Sequence, residues 1–247
     1  MGLEEALSLP GDLLLWSLAV TFVAAFVQGT IGFGHAVVAV PILALVDSRL
    51  APVPQLLQMV PLTVLVFWRE REHADLHGAL WTTIGRLPGT AMGVLLLKVA
   101  TQRMLDLLIG GLVLIAVGGL TGGRAIPRTR ITEFVAGLLS GGAAVISSIG
   151  GPPIALLYKD AKGATVRATL SAILAIGLVV TISARAVAGE ISSLEVGLGL
   201  LTIPAVGLGV WASRFAAAKI EGRPLQVSIL VVSAASAIAL IARALFH

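Results

Sequence analysis

Apolar residues dominate eight stretches of the chain, at about 13–46, 52–68, 78–99, 105–120, 131–158, 165–187, 194–213 and 225–245, with short polar turns between them. A membrane-spanning helix needs about 20 apolar residues, so most stretches suit one crossing. Two are too long. A straight helix over 13–46 would run about 50 Å at 1.5 Å per residue, against a hydrocarbon core of about 30 Å. Both long stretches carry an interruption. The first holds Gln28, Gly29, Thr30, Gly32, Phe33, Gly34 and His35 before Pro41, and the second holds Ser140, Gly141 and Gly142, then Ser147, Ser148, Gly150, Gly151, Pro152 and Pro153. Each is predicted to be a broken helix that turns back on itself. In lipid, the backbone groups freed by a break must face protein or a water-filled cavity. Breaks of this kind near the bilayer midplane form substrate sites in many secondary transporters.

The chain also repeats itself. Shifted by 112 residues, Ala24, Gly29, Pro41 and Ile42 fall on Ala136, Gly141, Pro153 and Ile154; shifted by 116, Pro88, Gly93, Val94 and Lys98 fall on Pro204, Gly209, Val210 and Arg214. Two matches in the same order point to a duplicated unit of about 115 residues. Loop charges bear on its orientation, because Lys and Arg mark the cytoplasmic side. Eight simple crossings divide the basic residues 7 to 9 between the faces and decide nothing. If each broken stretch enters and returns, 11 share one face (Arg69, Arg71, Arg124, Arg128, Arg130, Lys159, Lys162, Arg167, Arg214, Lys219, Arg223) against 5 on the other (Arg49, Lys98, Arg103, Arg185, Arg243). The expected fold is therefore an all-α polytopic membrane protein of two inverted repeats, each a re-entrant hairpin plus three spanning helices. The repeats fall at about 13–120 and 131–245, joined by a linker at 121–130 in one transmembrane domain, with both termini outside.

Composition agrees. The chain of 247 residues is 57% hydrophobic and only 12% charged, with a mean hydropathy of +1.00, where soluble domains carry about 25% charge. The net charge of +4 resides in loops, which suits membrane orientation and not nucleic-acid binding. The absence of cysteine excludes disulfides, thiolate metal sites and thiol nucleophiles. Glu4, Glu5 and Asp12 replace the basic region of a cleaved signal peptide, so the N-terminus is expected to be retained.

The candidate chemistry is anion binding without a cofactor or resident metal. Gly29, Gly32 and Gly34 let a restarting helix aim its N–H groups and positive dipole end into a cavity, with Gln28 and Thr30 beside them. The same glycines would also serve close helix packing. His35, the one histidine within a span, is a candidate for anion contact or proton coupling; packing is its alternative reading. In the second break Ser140, Gly141, Ser147 and Ser148 offer donors, while Gly150, Gly151 and Pro152 would open the returning helix. Arg86 lies mid-span, where a guanidinium costs ~3 kcal/mol or more and must face the interior. Asp106 is the main alternative partner that would reduce it to a structural ion pair. Arg185, Lys159 and Arg167 are expected to line a vestibule or report topology.

At the two breaks, and in the loop Arg69-Glu70-Arg71-Glu72-His73-Ala74-Asp75, the chain resembles the TauE/SafE family of sulfite exporters, also called TSUP transporters. Phe33 and His35 stand where small residues are common in that family. The resemblance implies a duplicated unit, with a Gly-Gly-Pro-type motif matched by Gly150, Gly151 and Pro152, and transport of sulfite, sulfoacetate or another organosulfonate across the cytoplasmic membrane. No G-x-x-x-x-G-K-[ST] nucleotide loop occurs, so a proton or Na+ gradient, or the substrate's own, would supply the energy. A homodimer is compatible with this reading. An anion channel, a carboxylate transporter and an intramembrane hydrolase built on Ser147 or Ser148 with His35 are the competing readings.

Overall fold

The computed structural model describes residues 2–122, 126–158, 160–217 and 223–246. The basic positions Arg124, Lys159 and Lys219 lie outside them. Among the described residues the secondary structure is helical, without strands. A short α1 (Gly2–Leu7) precedes α2 (Gly11–Ile31), α3 (His35–Val46), α4 (Val53–Glu70), α5 (Leu76–Leu97) and α6 (Gln102–Gly122); then come α7 (Arg130–Ser147), α8 (Gly151–Leu157), α9 (Gly163–Val187), α10 (Ser193–Leu201), α11 (Ile203–Ala217) and α12 (Arg223–Phe246). Among the described residues six helical segments are long and apolar enough to cross a membrane.

Both long apolar stretches break where glycine or strain permits. α2 ends at Gly32 with φ 102°, and Gly34, φ 114°, precedes α3. α7 ends at Ser148, also left-handed at φ 59°. A left-handed residue costs little for glycine but roughly 1–2 kcal/mol for serine; the Ser148 hydroxyl donates to Pro52 O at 2.8 Å, which helps hold it there. The left-handed caps Gly32 and Ser148 are 116 positions apart, as are the helix starts His35 and Gly151. A shift of 112 would set His35 against Ser147; the spacing of caps and helix starts sets it against Gly151. A third break, at Thr202 between α10 and α11, falls inside the stretch 194–213. Pro204 cannot donate a backbone N–H there, and the Thr202 hydroxyl accepts from Gln58 Nε2 of α4 at 2.6 Å.

Packing crosses between the two halves of the chain. α2 lies along α11 and α5 along α7, while α4 packs on α9 and α6 on α12. α5 and α7 run parallel, because Gly85 meets Phe134 and Leu138 while Gly93, further along, meets Gly142 and Val145. A side chain at Gly85, Gly89, Gly137 or Gly141 would strike the backbone carbonyl of the facing helix. Small residues thus let these two backbones touch, as in other membrane helix pairs. Contacts also sort the helix ends onto two faces. On one, the basic face, the ends of α2 and α4 meet the start of α9, and the starts of α5 and α7 meet through Arg128, Asp75 and Glu133. On the opposite face α1 meets α10, and Arg243 near the end of α12 meets Asp106 at the start of α6.

Candidate functional site

The tips of the two broken hairpins meet in the interior. A cavity of only about 10 Å³, lined by Gln28, Phe33, Gly34, Ser148, Gly151 and Pro152 among others, separates them. That is room for about one water, so the tips are closed on each other. In the first, Gln28 is fully buried and its Oε1 accepts the His35 backbone N–H at 3.1 Å. The amide thereby spans the break and fixes the angle between α2 and α3. Gln28 Nε2 and both His35 ring nitrogens are buried without a hydrogen-bond partner.

Arg86 comes from the middle of α5 and is 1% exposed. One guanidinium nitrogen donates to Ser140 Oγ at 2.5 Å, and Ser140 in turn donates to Gly150 O at 2.6 Å. This chain ties α5, α7 and the second break together. The guanidinium lies flat against α9 at Gly177, where any added Cβ would collide with its Nε, Cζ and NH2. No ion pair joins Arg86 to a carboxylate among the described residues, and its Nε has no partner. Asp106 is not its counter-ion: that carboxylate is engaged by Arg243 at 2.9 Å and Gln102 at 3.0 Å, toward the opposite face.

Several of the unpartnered buried atoms can donate. Arg86 Nε, Gln28 Nε2, Thr90 Oγ1 and Ser171 Oγ can all donate, and so can one His35 nitrogen. A buried donor left unmade costs about 1–3 kcal/mol. Arg86 Nε and Gln28 Nε2 can only donate, and these two suit an anion better than a cation.

Other sequence candidates lie elsewhere. Gly29 packs on Ser213 and gives its carbonyl to Arg69 on the basic face. Thr30 turns its hydroxyl onto Phe26 O of its own helix. Gly32 abuts the backbone of Arg167. Ser147 Oγ donates to Ala143 O, and Ser148 is occupied by Pro52, so neither serine hydroxyl donates to His35. Gly141 serves the α5–α7 contact. Arg167 joins Glu70 at 2.9 Å, and Arg185 lines a cavity of about 340 Å³ on the opposite face with Ala51, Pro52, Leu97 and Glu190.

A family model described as sulfite exporter TauE/SafE matches residues 17–240. The chain belongs to the TauE/SafE family. It is accordingly a multi-pass membrane transporter, and the match spans both helix breaks and the helices α5, α7 and α9 around Arg86. Neither the curated proteins nor the solved structures give a match to the chain. For this TauE/SafE protein, sequence reasoning did not single out Gly177, Thr90 or Ser171. Glycine and hydroxyl residues are common in membrane helices, and nothing in the sequence marks the glycine that admits a guanidinium.

Proposed function

We propose that this TauE/SafE protein is a secondary transporter that moves a small sulfur-containing oxyanion, such as sulfite, sulfoacetate or another organosulfonate, by alternating access across the cytoplasmic membrane. The observation that carries the reading is Arg86: a guanidinium buried where two broken helices meet, with no carboxylate to neutralise it among the described residues and a donor to spare. A buried cation of this kind is costly unless an anion joins it. A planar guanidinium also offers paired donors suited to oxyanions. In the proposed site Arg86 supplies charge, Ser140 orients it, and the break residues Gln28, Phe33, Gly34 and His35, with those from Ser148 to Pro152, close over the substrate. Gly29, Thr30, Gly32, Gly141 and Ser147 support these segments from behind. His35 is the candidate for proton coupling.

We further infer that the halves are inverted repeats. Exchanging each element of the first half with its counterpart converts the α2–α11 pairing into α7–α5 and returns α4–α9 and α6–α12 to themselves. The hairpin of α2 and α3 has its free ends on the opposite face, and that of α7 and α8 has them on the basic face. The basic face would be cytoplasmic; there Arg71 stacks over Trp68 at 4.7 Å, Arg130 over Trp81 at 5.6 Å and Arg214 over Trp211 at 4.9 Å, as at an aromatic membrane belt.

The test is flux in proteoliposomes loaded with sulfite, sulfoacetate or a small carboxylate. The proposal expects saturable sulfur-oxyanion flux that Arg86→Ala reduces by roughly two orders of magnitude or more, the scale of a lost charged hydrogen bond. Carboxylate flux alone would overturn the substrate class, and flux that does not saturate would indicate a channel.

A further inference from the structure

The two broken helices end in the same way on opposite faces. The last turn of α2 leaves its carbonyls unpaired, and Arg69, from the end of α4, donates NH2 to Gly29 O at 2.5 Å and NH1 to Ser213 Oγ at 3.0 Å. The last turn of α7 is met by Arg185, from the end of α9, which donates Nε to Val145 O at 2.7 Å and reaches Ile146 O at 3.5 Å. Arg185 stands 116 positions after Arg69, and Val145 stands 116 after Gly29. This is the spacing of the helix caps, so donor and acceptor correspond together. A helix C-terminus inside a membrane protein carries orphan carbonyls and a negative partial charge, and calls for a cation. In both halves the cation is an arginine tethered to the neighbouring helix.

We infer that Arg69 and Arg185 are a matched pair of gate-positioning residues, each holding the broken helix of its own half shut at one face, and that the transport cycle releases them one at a time. The inference rests on the alternating-access reading above. It uses different side chains from the substrate site: Arg86 bonds Ser140 beside the second break, whereas these two arginines bond backbone carbonyls in the last turns of α2 and α7.

The surroundings of the two gates differ. Beside Arg69, Arg167 bonds Glu70 at 2.9 Å and Thr30 O at 3.3 Å, and Ser213 takes a further bond. The positions corresponding to Arg167, Glu70 and Ser213 are Ala51, Ala186 and Leu97. Ala51 and Leu97 line the cavity of about 340 Å³ into which Arg185 projects. The gate at the basic face is thus braced by side chains, and the other is bordered by open space.

The experiment exploits the absence of cysteine from the chain. A single reporter, Ala36→Cys, is placed beside the small cavity between the hairpin tips, and a membrane-impermeant maleimide is added from either side of oriented vesicles. Arg69→Gln is expected to raise labelling from the basic face roughly tenfold or more, the scale of a lost hydrogen bond from a charged group, and to leave the opposite face unchanged. Arg185→Gln should do the reverse. Equal rises from both faces, or no rise in either variant, would overturn the inference. Should a glutamine variant fail to fold, Arg69→Lys and Arg185→Lys keep the charge but lose the fork, and should show the same facial split at smaller size; its absence would equally overturn it. The labelling needs no oxyanion, so failure of the sulfur-anion reading and failure of the gates are told apart.

Discussion

At the end of α2 several side chains act together. Arg69 holds Gly29 O, Arg167 holds Thr30 O, and Glu70 and Ser213 hold the arginines. At the corresponding end of α7, Arg185 bonds Val145 O with no carboxylate at ion-pair distance among the described residues; Ala51 and Leu97 stand beside it, and Glu190 and Glu195 line the same cavity. The backbone problem is the same in both places, an exposed helix C-terminus that lipid cannot satisfy. Both ends meet it with an arginine, and the shell around that arginine differs. The shell decides how much each end resists opening, so one fold can give its two faces different stability without changing the hairpins.

The largest expected effect follows from that difference. Arg185→Gln removes the side-chain donor on Val145 O and should lower stability by about 2–3 kcal/mol, whereas Arg69→Gln leaves Arg167 in place and should cost about 1 kcal/mol; melting temperatures of the purified variants compare them directly, and equal losses would break the comparison. Next come the two caps. Gly32→Ala would force a side chain into a left-handed position 2.9 Å from Arg167 Cα, at about 2 kcal/mol or more. Ser148→Ala already sits on a strained residue and loses only the bond to Pro52 O, about 1 kcal/mol. Denaturation of both variants in the same detergent should preserve that order.

The smallest effect concerns pH at the basic face. Asp75 caps α5 by accepting from Gly78 N–H and pairs with Arg128 at 2.5 Å. Partial burial favours its neutral form, but the Arg128 and Gly78 hydrogen bonds outweigh this and hold the carboxyl below its ordinary value of 3.8. Its stabilisation is therefore complete above that ordinary value and fades as pH falls through the lower folded one. Since the pair is about one-third exposed, Asp75→Asn should cost under about 1 kcal/mol at pH 7. It should also flatten the acid side of a melting-temperature profile, and a profile as steep as that of the parent would remove the role.

Much of this was legible in the chain. Stretches 13–46 and 131–158 had to break because they exceed the membrane, and their glycines and prolines marked where. Arg86 stood out as a charge in mid-span. The register of the proposed repeat was harder: in a sequence of few residue types, identities at a shift of 112 compete with those at 116, and it is the left-handed caps Gly32 and Ser148 that favour 116. The gates were hidden for a different reason. Arg69 and Arg185 bond to backbone carbonyls, which every residue carries, so their acceptors leave no mark in the sequence. Gly177 matters through the side chain it lacks, and the break at Thr202 depends on Gln58 from a distant helix.

The measurement that bears most directly on the central claim is thermal stabilisation of the purified protein by sulfite, sulfoacetate, thiosulfate, sulfate, taurine and simple carboxylates, with Arg86→Lys and Arg86→Ala alongside, because a ligand that binds only the folded protein raises its melting temperature. A rise selective for one sulfur oxyanion, weakened in the lysine variant and absent in the alanine variant, is the predicted result. A rise of equal size in Arg86→Ala, or a rise with carboxylates alone, would contradict it.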